Sequence, residues 1–232
     1  MSKVVHPYAH RLVTLRDWKS RWFSTGAHFV ENLKVDTVIR EFLEKRLRGS
    51  YVSSVEIERG QKAIRIILRT SRPGMIIGRS GEAATKLKAD IIKELKRAKL
   101  TVTDEIKLEI VEVTSPDGDA KIVGYMIAEG LEKRMPYRRV MKQLIEKVMA
   151  VRGVQGVRIY VGGRLGGAEI SRSEILKRGS VPLQTIRADV DFAREKAHMP
   201  YGDIGIKVWI YKGQIFTKDA KNQDPSARAG KK

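Results

Sequence analysis

The sequence predicts an α+β protein with two folded domains, and three observations carry that prediction. Apolar residues alternate with period two in two separate groups, and each group also contains stretches of helical periodicity. A turn-forming Pro116-Asp117-Gly118 stands between the groups. The chain has 232 residues, 42% of them hydrophobic, which is enough for two cores in domains of roughly 100 residues each.

The elements follow in order. Residues 1–15 are basic, contain Pro7 and read as an N-terminal arm. The first domain is expected over 16–115. Val38, Phe42, Leu43 and Leu47 predict a helix from Val35 to Leu47, stopped by Gly49. Val55 and Ile57 alternate with Ser54, Glu56 and Glu58, and Ile64, Ile66 and Leu68 alternate with Arg65 and Arg69, so two strands are joined by a turn at residues 58–62. Ser71-Arg72-Pro73-Gly74 breaks the pattern, and a helix pair follows, split by a glycine-bracketed loop. The longer helix turns Ala84, Leu87, Ile91, Ile92 and Leu95 inward. Ile106, Leu108 and Ile110 mark a third strand.

The second domain is expected over 116–215. Ile122, Met126, Ile127 and Leu131 line one helix, which Pro136 ends, and a second helix runs from about Tyr137 to Arg152. Alternation then marks strands at Val157–Val161, at Ile186–Phe192 and at Ile204–Ile210, with another between Ala168 and Lys177. Two helices followed by four strands suggest helices on one face of a mixed sheet. Residues 216–232 are polar and basic and read as a flexible tail.

Lys and Arg number 46 against 27 Asp and Glu, a net charge of +19. Such a surplus repels itself in a compact fold, and a polyanion relieves it. The membrane reading is weak, because no stretch approaches the roughly 18 apolar residues of a spanning helix. The first residues lack the apolar run of a secretion signal. There is no cysteine, which removes disulfides, thiol nucleophiles and cysteine-ligated zinc. The histidines, His6, His10, His28 and His198, have no metal-ligand spacing. A cytoplasmic, cofactor-free and metal-free protein is expected.

Three stretches bear on the polyanion. The first is Met75-Ile76-Ile77-Gly78-Arg79-Ser80-Gly81. A G-x-x-G pair alone is a common bend between helices. Here it follows two strands and a short helix and precedes an amphipathic helix and a third strand. That order resembles the K-homology module of type II, whose GxxG loop clamps about four single-stranded nucleotides. Glycines let a sugar–phosphate chain approach closely, amides at the helix start face the phosphates, and Arg79 adds charge. The second is the helix carrying Arg138, Arg139, Lys142, Gln143, Glu146 and Lys147 on one face and Val140, Met141, Leu144, Ile145 and Val148 on the other. A solvated face normally mixes signs, whereas only Glu146 offsets four cations here. The third is Gly162-Gly163-Arg164-Leu165-Gly166-Gly167. It lacks the Lys-Ser/Thr of a phosphate-binding loop and the spacing of a dinucleotide fingerprint. Its glycines serve close packing with RNA or simply turn the chain.

Catalysis is not indicated. His198 follows Asp189, Asp191 and Glu195, but no nucleophile elbow exists and the acids form no metal cluster. Trp18, Trp22 and Phe23 lie among Arg16, Lys19 and Arg21, an arrangement that suits stacking on nucleotides or anchoring the arm to the first core; both readings stand. Trp209 points opposite to Val208 and Ile210 and is expected to pack on a neighbouring segment or protein.

Further motifs fall in a fixed order: Arg72-Pro73-Gly74 with the GxxG loop, Arg138-Arg139-Val140-Met141-Lys142, Gly163 to Ile170, Val181-Pro182-Leu183 with Arg187-Ala188-Asp189, and Tyr201-Gly202 to Gly213. From about Lys3 to Gly213 the chain resembles the bacterial form of the universal S-three family of small ribosomal subunit proteins. The resemblance implies a structural, non-enzymatic protein of the subunit head, with a type II K-homology domain and a C-terminal domain on rRNA. It implies mRNA contacts at Gly78, Arg79, Ser80 and Gly81 and at Arg138, Arg139 and Lys142, the latter facing the channel through which mRNA enters and helping to unwind it. Expected rRNA contacts are Lys3, His6, Arg11, Arg16, Trp18, Arg21, Trp22, Arg164, Arg172, Lys177, Arg178 and Arg187. Implied neighbours are proteins S-ten and S-fourteen in the head, with S-four and S-five near the mRNA path. Two positions depart from the family pattern: Ala9-His10 follows Pro7-Tyr8 where a glycine is common, and Arg79-Ser80 stands where two lysines are common. The rival from another class is a free K-homology regulator or ribosome assembly factor.

Overall fold

The computed structural model describes residues 5–60, 63–100 and 105–216. Lys3, the tip of the 58–62 turn at residues 61 and 62, and the tail beyond Phe216 lie outside the described residues. The chain divides into two compact units, one of Trp18–Pro116 and one that joins Met1–Asp17 to Asp117–Lys232.

In the first unit, β1 (Ser20–Arg21), β2 (Val52–Arg59), β3 (Ala63–Thr70) and β4 (Glu105–Glu112) form a sheet in that spatial order. β2 and β3 pair antiparallel, while β3 and β4 pair parallel. The parallel pair needs a crossover, and the helices α3 (Pro73–Ile77) and α4 (Glu82–Arg97) provide it. Helix α2 (Gly26–Arg46) joins α4 over the same core. The alternation places Val55, Ile57, Ile64, Ile66, Leu68 and Ile106 against Val35, Ile39, Leu43, Leu87, Ile91 and Leu95. A fully buried Ile or Leu such as Ile57, Ile64 or Leu68 contributes about 1.5–3 kcal/mol. Ile91 and Ile92 are both apolar, but neighbours on a helix sit about 100° apart. Ile91 is buried and Ile92 is exposed.

Helix α2 starts nine residues before the expected Val35. Its first turns carry Phe29, Val30 and Leu33 on the outside, so no inward stripe announced them. Where the helix becomes buried, Asp36 accepts from Arg59 Nη2 at 2.6 Å and from Trp22 Nε1 at 2.8 Å. Trp22, half-buried with its ring tilted on Phe29, is thus an anchor of this unit.

The second unit is a two-layer α/β arrangement. Helices α5 (Ala120–Glu132) and α6 (Tyr137–Ala150) cover one face of a sheet ordered β6-β5-β8-β7. The strands are β5 (Gly156–Gly163), β6 (Arg172–Gly179), β7 (Ala188–Met199) and β8 (Gly202–Gln214). Asp119 caps α5 by accepting from the amides of Lys121 and Ile122. All three strand pairings are antiparallel, so the expected mixed sheet is corrected. The reason is connectivity: β5–β6 and β7–β8 are consecutive strands joined by short connections, with no α-helical crossover of the kind a parallel pair needs. Strand β7 starts at Ala188, leaving the expected strand residue Ile186 half-exposed in the preceding turn.

The described part of the arm is docked. A single helical turn α1 (Pro7–His10) packs on β7. Arg11 is fully buried, with Nε donating to the carbonyl of Ala188 at 2.6 Å, Nη1 to Pro7 at 3.0 Å, and Nη2 to Leu183 and Thr185 at 3.1 and 2.9 Å. Arg16 donates to Asp189 at 2.5 Å.

Candidate nucleic-acid interface

The GxxG loop is a sharp reversal between α3 and α4. Ile76 is buried and fixes α3, while Met75 and Ile77 stay exposed. Gly78 has φ +70, and a Cβ there would lie 2.7 Å from the Cβ of Ala83. Glycine is therefore required on both counts. Gly81 has φ +79 with open space around it, and Ser80 is left-handed at φ 53. Arg79 and Ser80 are exposed. Glu82 follows the loop in the first turn of α4, so Arg79 and the loop amides stand next in sequence to a carboxylate.

Helix α6 presents the strongest charge asymmetry. Val140, Met141, Leu144, Ile145 and Val148 are buried in the second core. Gly130 of α5 lets α6 close in, since a Cβ there would meet Val140 Cγ1 at 3.1 Å. The opposite face shows Arg138, Arg139, Lys142, Gln143, Glu146 and Lys147 to solvent. Arg138 Nε donates to both oxygens of Glu174 on β6, at 3.1 and 3.2 Å, and this bond together with the Glu174 charge raises its pKa above the ordinary value. Arg139 and Lys142 have no ion-pair partner among the described residues.

The remaining candidate residues divide by what they touch. Arg11 is corrected: every carbonyl it reaches lies within its own unit, and it has no accessible surface for RNA. Burial pulls its guanidinium pKa below the ordinary value, with Asp189 acting the other way. For Arg16 burial also acts downward, but Asp189 and Asp191 outweigh it and the net shift is upward. His6 sets its ring edge-on to Phe192. Arg21 pairs with Glu56 and Glu58, and Trp18 and Phe23 remain exposed. Arg164 braces the glycine-rich turn, with Nε donating to Ala168 at 2.9 Å and Nη1 to Tyr201 at 3.3 Å. Strand alternation separates a trio that looked contiguous. Arg172 and Arg178 share the helix-bearing face with Glu174 and Leu176, while Lys177 lies on the other. Arg187 sits over the Phe216 ring. Trp209 packs on Phe192 within its own sheet.

Two protein-family models match the chain. A KH domain model covers residues 38–118, and a model described as ribosomal protein S3, C-terminal domain, covers 127–210. Small ribosomal subunit protein uS3 of Clostridium novyi is 40% identical over 227 residues, 97% of this chain and 100% of the relative. The uS3 protein of Photobacterium profundum is 44% identical over 216 residues, 93% and 91% of the two chains. The chain belongs to the uS3 family of small ribosomal subunit proteins. A third relative, uS3 of Shewanella amazonensis, is 40% identical over 234 residues, 98% of each chain. The uS3 family is structural and non-enzymatic, and its KH domain is an RNA-binding module. Among the described residues no helix is long and apolar enough to cross a membrane, and no group of His, Cys, Asp or Glu is placed to hold a metal.

Proposed function

We propose that this chain is a structural constituent of the head of the cytoplasmic small ribosomal subunit, binding small-subunit rRNA and mRNA. The α6 face lines the channel through which mRNA enters, and Arg139 and Lys142 hold the phosphates of strands that translocation has pulled apart. Arg138, tethered to Glu174, sets one edge of that face. The GxxG loop at Gly78, Arg79, Ser80 and Gly81 offers a second mRNA contact through its amides. Arg172, Lys177, Arg178, Arg187 and Trp18 are exposed and available to rRNA, whereas Arg21 would first have to leave Glu56 and Glu58. The neighbours are proteins S-ten and S-fourteen, with S-four and S-five nearer the mRNA.

The observation that carries this reading is the segregated face of α6, where Arg139 and Lys142 have no ion-pair partner within the described residues. An unpaired cation on a rigid helix is free to bind phosphate without first breaking an ion pair. No unwinding energy comes from this chain, which only traps separated strands. Replacing Arg138, Arg139 and Lys142 together by glutamate is expected to slow translation of hairpin-containing messages severalfold. Unstructured messages should translate at nearly the normal rate. Equal slowing of both, measured in a reconstituted translation system, would show that the face does not act on RNA structure.

A further inference from the structure

Each unit has a sheet face that carries no helix, and the two faces differ in charge. On the first sheet that face holds Arg21, Arg65, Arg69 and Lys107 against Glu56, Glu58, Glu105 and Glu109, four of each sign. They are interlocked: Arg21 pairs with Glu56 and Glu58, Arg65 with Glu58 and Glu109, and Arg69 with Glu56. Cross-strand neighbours such as Arg21 with Glu58 and Glu58 with Arg65 have opposite signs. That face is electrostatically closed.

The second sheet is open in the same sense. Register aligns Lys177, Arg158, Trp209 and Phe192 in one row across β6, β5, β8 and β7. The next row is Ile175, Tyr160, Lys207 and Arg194, and the one after it is Ser173, Gly162, Gly205 and Lys196. Five cations therefore share this face, and the one carboxylate of these strands on the same side, Asp203, lies at its margin beside His198 and Lys196. Lys177 lies opposite Arg158, and Lys207 opposite Arg194. Like charges placed so raise the energy of the free sheet. Neighbouring strands stand about 5 Å apart and same-face residues about 7 Å apart along a strand, so the cations form a grid.

Aromatic rings lie beneath these cations. The Arg158 guanidinium stands 5.0 Å from the Trp209 ring, Lys207 Nζ 5.1 Å from Tyr160, and Arg194 5.5 Å from Phe192. Trp209 is 6% exposed. A buried ring cannot stack on a base, but it holds a cation in place. The arm and the 181–185 turn occupy the Val190–Tyr211 end, with His6 on Phe192, so the cationic end is what remains open.

We propose that this helix-free face of the second sheet binds the sugar–phosphate backbone of small-subunit rRNA, recognising charge and shape rather than sequence. A protein partner fits less well, because protein interfaces have apolar centres depleted of charge, whereas this face is charged at its centre. Ile175 is the one large apolar side chain exposed on it among the described residues. The proposal rests on the ribosomal reading above and adds Arg158, Arg194 and Lys207 to the RNA contacts.

The test uses the full chain and a variant with Arg158→Gln, Lys177→Gln, Arg194→Gln and Lys207→Gln, binding small-subunit rRNA across a salt series. Each phosphate contact contributes about 0.9 to the slope of log affinity against log salt on duplex and about 0.7 on single strands, so the slope should become shallower by about 3. A second variant, Arg65→Gln with Lys107→Gln on the first sheet, should leave the slope unchanged. Should the fourfold variant fail to fold, the pairs Arg158→Gln/Lys177→Gln and Arg194→Gln/Lys207→Gln are read instead, each with about half the effect. An unchanged slope in a folded variant overturns the proposal, including the case in which RNA binding persists while incorporation into subunits is lost, which would point to an acidic protein. If the unaltered chain binds no rRNA, the ribosomal reading itself fails, and the two failures are told apart.

Discussion

Replacing Arg11 by alanine is expected to destabilise the second unit by about 4 kcal/mol. The side chain is fully buried and donates to the carbonyls of Pro7, Leu183, Thr185 and Ala188. Alanine removes this shared donor, at about 1–3 kcal/mol for each acceptor that neither water nor another donor reaches; the Thr185 carbonyl keeps the amide of Ala188 at 3.2 Å. It also opens a large cavity where the guanidinium stood. Arg11→Lys should recover little, because a single ammonium cannot span acceptors that the planar fork reaches at once. Thermal unfolding of the full chain checks this, with the transition assigned to the second unit moving to lower temperature. If that transition is unmoved, the arm is not part of the fold.

The second large effect is expected at Asp36. Its carboxylate pairs with Arg59 while both side chains are more than nine-tenths buried, and it also accepts from Trp22 Nε1 and Ser20 Oγ. Asp36→Ala strands the Arg59 charge in the core, and breaking a buried pair on one side costs about 3–5 kcal/mol. The double change Asp36→Leu with Arg59→Met should cost much less, because it removes both charges and keeps apolar volume. A double-mutant cycle measured by chemical denaturation distinguishes the two outcomes. Equal loss in the single and double variants would mean that packing, not the stranded charge, sets the cost. Because Trp22 donates to Asp36, the single change should also free the segment that leads into α2.

These two residues show where sequence reasoning reaches and where it stops. Alternation at Ile64, Ile66 and Leu68 and helical spacing at Val140, Met141 and Leu144 depend on neighbours within a few positions, so both were legible. The α6 cation cluster was legible for the same reason. Arg11 was not, because its acceptors on Leu183, Thr185 and Ala188 lie more than 170 positions along the chain. A basic arm looks the same whether its arginine meets RNA or its own protein. The two-residue strand β1 is too short for any period to register. The cationic rows of the second sheet were hidden differently. Arg158, Lys207 and Arg194 occupy the polar positions of alternating strands, which read as ordinary solvent positions until the order β6-β5-β8-β7 sets them side by side. The GxxG loop was legible as a motif, but the contact that makes Gly78 obligatory, with Ala83, appears only in three dimensions.

The positive charge displayed by the two folded units, part of the chain's net +19, is expected to seat this chain permanently in small subunits. Sedimentation of tagged full-length chain through a sucrose gradient at high salt tests it most directly. Co-migration with small subunits at one copy per particle is expected. Recovery of the chain at the top of the gradient, as a free RNA-binding regulator or assembly factor would behave, would contradict it.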